Sequence, residues 1–213
     1  MPIWDLHLIN NINFSIDFFI CCYMKGWFNM IYVFLADGFE VTEALTTVDI
    51  LRRGKLEVKT VAVGTNGNTV MSSHNIAVTA DVNEKEIVKD NLQGVILPGG
   101  MPGTTNLEKS EVVADFVNYC VKSNLIVGAI CAAPSVLGKM GILNGKKATC
   151  FPGFEEYLKD ADFTGDFAVT DGLVVTGKGM GATIPFALKL LTLFKDAETA
   201  NNVFESLQCP YNI

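Results

Sequence analysis

Cys131 is set apart by the small residues around it. It lies in the segment GAICAAP, residues 128–134, between an apolar run and a stretch of helical character. Small neighbours allow a tight turn from strand to helix and keep the sulfur accessible, as in a nucleophile elbow. A helix that begins just behind the sulfur favours the thiolate through its partial positive charge. The alternative is a buried structural cysteine, a common position for free cysteines.

A glycine pair follows another apolar run. Gly99 and Gly100 follow residues 94–97 after a single proline, Pro98, so their backbone N–H groups are expected near a neighbouring strand end. Together with the N–H of Ala132 they would form an oxyanion hole or an anion nest. Without that placement, the two glycines are a simple tight turn.

Glu43 is the candidate acid. It lies in the first turns of a predicted helix over residues 40–53. A carboxyl group aimed inward at a thiolate would have a raised pKa, and it could donate a proton to the sulfur or to a substrate oxygen. Asp37 and Glu40 compete for this role, and an exposed helical glutamate is the alternative.

The elements that position these residues alternate between strand and helix. Apolar runs predict strands over residues 31–35, 56–63, 94–97 and 125–130, and helical periodicity predicts helices over 40–53, 112–122, 182–194 and 198–207. Hairpins are predicted over residues 69–79 and 168–176. This alternation predicts an α/β domain with a mostly parallel sheet and helices on both faces. In such sheets ligands bind beyond the carboxyl ends of the strands.

Composition excludes several classes of function. The net charge of −7 and the scattered basic residues argue against nucleic-acid binding. Six cysteines without CxxC spacing and two histidines argue against a zinc site and favour free thiols in a reducing cytoplasm.

Residues 1–29 do not match the rest of the chain. Their apolar run over residues 16–24 is about half of the roughly 20 residues that a membrane span needs. We interpret them as an upstream extension or a mis-assigned start, with a short membrane-surface helix as the alternative. The domain proper is predicted over residues 30–213.

Five segments taken together resemble the ThiJ/PfpI superfamily, and most nearly its branch with the Parkinson-disease-associated deglycase and bacterial homologues. They are ADGFEVTE at residues 36–43, Asp49 with Arg52-Arg53, LPGG at 97–100, AICAAP at 129–134 and TGKGMG at 176–181. The resemblance runs in order from residue 30 to about residue 207.

This resemblance implies a flavodoxin-like three-layer sandwich, a homodimer, and an active site that uses neither a metal nor a cofactor. It implies that Cys131 is the nucleophile, that Glu43 hydrogen-bonds its sulfur, and that Gly100 and Ala132 supply backbone donors. Similar proteins have been assigned glutathione-independent glyoxalase activity, deglycation of glyoxal-modified groups, and chaperone or oxidative-stress roles. The peptidase branch is more distant.

One position departs from the pattern. Many similar proteins have a histidine about 20 residues after the cysteine, just before a proline, whereas Phe151 occupies that place here. His74 falls where relatives can have a basic residue near the dimer interface, so a partner chain could bring it to a site. Cys150 could act as a resolving thiol. Without the histidine, proton transfer falls to Glu43, water or the substrate.

Two functions therefore remain open. The first is an enzyme acting on methylglyoxal, glyoxal or their early adducts. The second is a redox sensor or chaperone with an oxidisable Cys131. A cysteine peptidase ranks last.

Overall fold

The computed structural model describes residues 29–209. The predicted extension over residues 1–29 lies outside the described residues apart from Asn29. The described part contains eleven strands and six α-helices. The strands are β1 (Met30–Ala36), β2 (Glu57–Val63), β3 (Thr69–Met71), β4 (Ala77–Thr79), β5 (Val82–Asn83), β6 (Leu92–Leu97), β7 (Ile126–Ile130), β8 (Lys147–Ala148), β9 (Asp162–Phe163), β10 (Ala168–Asp171) and β11 (Val174–Gly177). The helices are α1 (Val41–Arg53), α2 (Gly103–Lys109), α3 (Glu111–Lys122), α4 (Pro134–Lys139), α5 (Thr183–Phe194) and α6 (Ala197–Ser206).

A seven-stranded sheet forms the centre, in the order β10-β11-β7-β6-β1-β2-β5. All neighbours in it are parallel except β10 and β11, which form the antiparallel hairpin predicted from the sequence. The other predicted hairpin is β3–β4, which forms a separate two-stranded sheet. The predicted mostly parallel, flavodoxin-like architecture is confirmed.

Helices cover both faces of the sheet, because its central strands are apolar on both sides. In β1, Phe34 points into a core shared with α2, α3 and α4. Its neighbour Leu35 points into the opposite core, shared with α1, α5 and α6. This alternation follows from the period of two residues in a strand. No helix within residues 29–209 combines the length and the apolar content that crossing a bilayer requires.

Helix α1 begins and ends where its sequence dictates. The Glu40 carboxylate caps its first turn by accepting a hydrogen bond from the N–H of Glu43 at 2.6 Å. Arg52 and Arg53 lie in its last turn, and Gly54 follows. The cap fixes the first turn at the carboxyl end of β1, where Glu43 must be positioned.

The topology places the strand ends that matter side by side. The chain passes from β1 to β2 on one side and later returns as β6 on the other, so β1 and β6 flank the topological switch point. β7 is the next strand beyond β6. The segments that follow β1, β6 and β7 carry Glu43, the Gly99–Gly100 pair and Cys131.

Candidate active site

Cys131 lies on a sharp turn directly after β7. Its φ is +65°, a left-handed conformation that costs a non-glycine residue about 1–2 kcal/mol. The surrounding backbone holds it there: its N–H donates to the Gly177 carbonyl at 2.8 Å, and its carbonyl accepts from the Phe151 N–H at 2.8 Å. A backbone constrained in this way is typical of functional turns. The side chain is partly exposed.

The thiol of Cys131 is not acidified in this arrangement. Burial raises its pKa to about 12, and an ionised Glu43 adds to the increase through its charge and its hydrogen bond. Backbone hydrogen bonds from Ala132 and Gly100 act in the opposite direction. The net direction of the pKa shift is therefore opposite to the acidification expected from the helix that follows. Desolvation is the largest influence on this pKa, and α4, which begins at Pro134, is only six residues long.

Glu43 is buried beside this thiol. Its residue is 1% exposed, and desolvation raises its pKa from 4.5 to about 7, although hydrogen bonds with Cys131 and Gly99 partly offset the increase. Oε2 accepts the Gly99 N–H at 2.8 Å. Oε1 is buried without a well-directed hydrogen-bond partner within residues 29–209. A carboxyl group of this kind holds a proton near neutral pH and has one oxygen free to pass it on.

Gly99 ties the two loops together. Its N–H binds the side chain of Glu43, and its carbonyl accepts the N–H of Glu40 at 2.9 Å. A Cβ at this position would lie 2.6 Å from the Cβ of Cys131 and 2.8 Å from Oε2 of Glu43. Only glycine fits this space. The N–H of Gly99 was predicted to form part of an oxyanion hole, whereas in the structure it donates to the carboxyl group of Glu43.

Gly100 and Ala132 supply the backbone donors that face the sulfur. Both hydrogen-bond to the side chain of Cys131 and lower its pKa. Gly100 has φ +91°, and a Cβ there would meet the backbone of Gly38 and Glu40. The two N–H groups lie where negative charge on the sulfur, or on an oxygen bonded to the carbon that it attacks, can be stabilised.

The two rival carboxylates of the first loop have structural roles. Glu40 caps α1, as described above. Oδ1 of Asp37 accepts the N–H of Met71 at 2.8 Å and so anchors the β3–β4 hairpin to the first loop. Glu43 is the acidic side chain that this loop brings to Cys131.

Cys131 and Glu43 titrate as a pair. Since burial raises both pKa values, the neutral pair loses its first proton near pH 7 and its second far above neutrality. Above pH 7 the single negative charge lies mainly on the carboxyl group, whose pKa is the lower of the two. The tautomer with a neutral Glu43 and a Cys131 thiolate is the nucleophilic form.

The remaining candidates lie farther from the sulfur or are inaccessible. His74 is exposed on the β3–β4 hairpin, with Nδ1 3.0 Å from Oγ of Ser73. Cys150 is fully buried in the core beneath α2–α4, and burial raises its pKa to about 12. Both features oppose a resolving role for Cys150 in this conformation. No cluster of three or more metal-ligating side chains occurs in the described part of the chain.

Two glycines near the site received no role from the sequence. Gly177 accepts the N–H of Cys131, and Gly179 lies between the ring of Phe151 and the sulfur. A Cβ on Gly179 would be 3.2 Å from Cδ2 of Phe151 and 4.0 Å from Sγ of Cys131. The glycine spacing in TGKGMG, residues 176–181, is the signal that could have identified them.

Comparisons with known proteins found a matching family model and several similar proteins. Residues 29–193 match the model of the DJ-1/PfpI family. The chain is 36% identical over 169 residues to protein DJ-1 homolog B of Arabidopsis thaliana, covering 79% of this chain and 38% of that protein. It is 30% identical over 170 residues to a Caenorhabditis elegans protein named glutathione-independent glyoxalase DJR-1.2, covering 79% of this chain and 89% of that protein.

A solved structure shows the same fold. The crystal structure of Drosophila melanogaster DJ-1beta superimposes with a TM-score of 0.81 at 30% sequence identity. The match covers 86% of this chain and 99% of that chain. The similarity thus includes nearly the whole of the Drosophila protein.

Proposed function

Since the chain belongs to the DJ-1/PfpI family, we propose that it is a cofactor-free, cysteine-dependent glyoxalase or deglycase acting on methylglyoxal, glyoxal or their early adducts. The observation that carries this proposal is the Cys131–Glu43 pair. A nucleophile on a left-handed turn lies beside a buried carboxyl group whose pKa is about 7. The glyoxalase name of the Caenorhabditis elegans relative supports the same reaction class.

The first step is addition of the Cys131 thiolate to the aldehyde carbon of methylglyoxal. The new carbon–sulfur bond leaves negative charge on the aldehyde oxygen, near the N–H groups of Gly100 and Ala132. The proton on Glu43 then neutralises this oxygen and gives a hemithioacetal. Glu43 is thereby ionised and ready to act as a base.

The second step is an internal redox change that needs no external oxidant. Glu43 removes the hydrogen of the former aldehyde carbon as a proton, and the electron pair forms an enediol. Reprotonation at the former ketone carbon yields the lactoyl thioester of Cys131. Water then hydrolyses the thioester to lactate and restores the thiol, so that methylglyoxal and water give lactate.

Lactate formation tests this function. Purified protein incubated with methylglyoxal is expected to form lactate, and Cys131→Ser is expected to form none because the hydroxyl is a weaker nucleophile. Cys209→Ser is a matched control, since Cys209 is also partly exposed and lies outside the site. Glu43→Gln should retain thioester hydrolysis but lose proton transfer, lowering kcat by about 10²-fold or more. Wild-type lactate formation no greater than that of Cys131→Ser would overturn the proposal.

The backbone donors favour a second candidate, a redox sensor or chaperone. The N–H groups of Gly100 and Ala132 that face Cys131 could also hold the oxygens of a sulfinate, with a protonated Glu43 as a further donor. Dilute peroxide would then add two oxygen atoms to Cys131 faster than to Cys209, as measured by mass spectrometry of the peptides. Equal rates at both cysteines would exclude this role.

A cysteine peptidase is less well supported. The histidine of the described part, His74, is exposed on the hairpin, where its Nδ1 is hydrogen-bonded to Oγ of Ser73. We further propose a homodimer located in the cytoplasm. Sedimentation velocity of the purified protein tests the oligomeric state, and fractionation of cells tests the location.

A further inference from the structure

An apolar rim surrounds one side of the nucleophile. We define the rim as Phe151, Phe167 and Met180, whose residues are 47%, 69% and 57% exposed. They line an open pocket of about 250 Å³ together with Gly179. Large apolar side chains exposed together in this way are typical of ligand-binding surfaces.

The rim is continuous with Cys131. Gly179 is the link, because a Cβ placed on it would contact both the Phe151 ring and the sulfur, at 3.2 and 4.0 Å. Its φ of 165° is accessible to any residue, so backbone conformation does not demand glycine here. Because Gly179 has no side chain, the Phe151 ring and the sulfur both lie close to its backbone, and the rim begins next to Cys131. A group two or three bonds away from a carbon attached to Sγ is therefore within reach of the Phe151 ring.

Polar groups are directed away from the pocket. Lys178 is its charged lining residue, and its ammonium group donates to the Gly165 carbonyl at 3.1 Å. The other lining residues carry no carboxylate. The surface that faces an incoming substrate is therefore formed by rings, a thioether and backbone.

We propose that the rim is the subsite for the apolar substituent of a 2-oxoaldehyde, and that Phe151 and Phe167 determine specificity among these substrates. The inference rests on the proposed function. In the adduct on Cys131, the ketone substituent extends past Gly179 onto the rim. At this position glyoxal carries only hydrogen, methylglyoxal carries a methyl group and phenylglyoxal carries a ring. The value of kcat/KM is therefore expected to rise in that order.

Steady-state kinetics with glyoxal and phenylglyoxal test the subsite. For each variant, the ratio of kcat/KM for phenylglyoxal to kcat/KM for glyoxal is compared with the wild-type ratio. Phe167→Ala and Phe151→Ala should lower this ratio about fivefold to tenfold, because a ring-sized apolar contact in an open groove is lost. Phe163→Ala is the matched control: Phe163 is 41% exposed and does not line the pocket. It should leave the ratio unchanged.

Two outcomes would overturn the inference. One is a ratio of kcat/KM values that does not distinguish the rim variants from the controls, either because it is unchanged in both rim variants or because Phe163→Ala lowers it equally. The other is a shift of Phe167→Ala from dimer to monomer in sedimentation velocity, since the rim would then be covered by a second copy of the chain. Phenylglyoxal also modifies arginine. Because Arg52 and Arg53 are present in every variant, this side reaction affects all variants alike, and their initial rates can be compared directly.

A readout without turnover separates this inference from the proposed function. Cys131 is alkylated with iodoacetamide and with its N-phenyl derivative, and both rates are followed by mass spectrometry of the peptide. The aryl reagent should react faster with the wild type, and Phe167→Ala should reduce that preference about fivefold. If no dicarbonyl is turned over, the proposed function fails, and this alkylation preference alone decides whether the rim binds apolar groups. Equal preferences in both proteins would refute the subsite.

Discussion

Replacing Glu43 with glutamine removes the carboxyl group that lies beside Cys131 and keeps the shape of the side chain. The Gln oxygen can still accept the Gly99 N–H that Oε2 accepts at 2.8 Å in the wild type. What disappears is the ability to titrate. The variant therefore isolates the free energy by which an ionised Glu43 destabilises the folded state.

The magnitude follows from the pKa of Glu43, which burial raises from 4.5 to about 7. The folded state binds this proton more tightly than the unfolded state. The stabilisation from protonated Glu43 is therefore fully present below pH 4.5 and is lost as the pH rises through about 7. Over that window the loss is about 3 kcal/mol, of which about 2 kcal/mol or more falls between pH 5 and pH 8. Glu43→Gln should lack this loss.

Urea unfolding followed by far-UV circular dichroism measures the effect at pH 5, 6.5 and 8 and at one protein concentration. The free energy of unfolding of Glu43→Gln minus that of the wild type should increase by about 2 kcal/mol from pH 5 to pH 8. Glu57→Gln, which removes an exposed carboxylate, controls for the loss of one charge. Parallel pH profiles for Glu43→Gln and the wild type would show that Glu43 is not desolvated as described.

Three further substitutions test the site. Gly99→Ala would place a methyl group 2.6 Å from Cβ of Cys131 and 2.8 Å from Oε2 of Glu43, so we expect lactate formation to fall at least 10²-fold and unfolding free energy to fall by about 2 kcal/mol; unchanged turnover would contradict this packing. Gly179→Ala places a methyl group between the Phe151 ring and the sulfur. It should lower kcat/KM for phenylglyoxal more than kcat/KM for glyoxal, and an equal decrease for both substrates would contradict the proposed position of the subsite. Phe151→His adds a proton acceptor next to the turn and should raise the alkylation rate of Cys131 at pH 7 about tenfold, whereas an unchanged rate would place the imidazole out of reach.

The sequence predicted the elements with a clear hydrophobic pattern. Strands β1 and β7 are apolar runs and were located to within a residue or two, as were the hairpin turn at Asp171–Gly172 and the four long helices. Helix α2 was not predicted. Its sequence GTTNLEK contains a single large apolar residue, Leu107, so no helical period is visible. Its first residue, Gly103, packs directly against the backbone of Gly38 and Phe39, a tertiary contact that local patterns do not encode.

The candidate site shows the same division between pattern and environment. Cys131 was located from its small neighbours alone, and the resemblance added Glu43 as its partner. The resemblance implied that Gly100 is a donor to the sulfur, but the hydrophobic pattern did not show that the N–H of Gly99 binds Glu43 instead, since this depends on the backbone geometry of the turn. The net direction of the pKa shift of the thiol could not be predicted for a related reason. Desolvation depends on how many groups cover Cys131, and that number is set by the packed fold.

Phe151 gives the proton chemistry of this site its particular form. A histidine there would offer a second group that titrates near neutral pH, whereas a phenyl ring offers none and leaves Glu43 to carry protons beside the nucleophile. The same ring helps to form the apolar rim. Phenylalanine at position 151 therefore contributes apolar surface where a histidine would contribute a base. Substrates that bring their own acidic hydrogen, as the hemithioacetal of a 2-oxoaldehyde does, suit such a site better than peptides, whose leaving amine must be protonated. The phenyl ring of Phe151 is thus consistent with the proposed dicarbonyl chemistry.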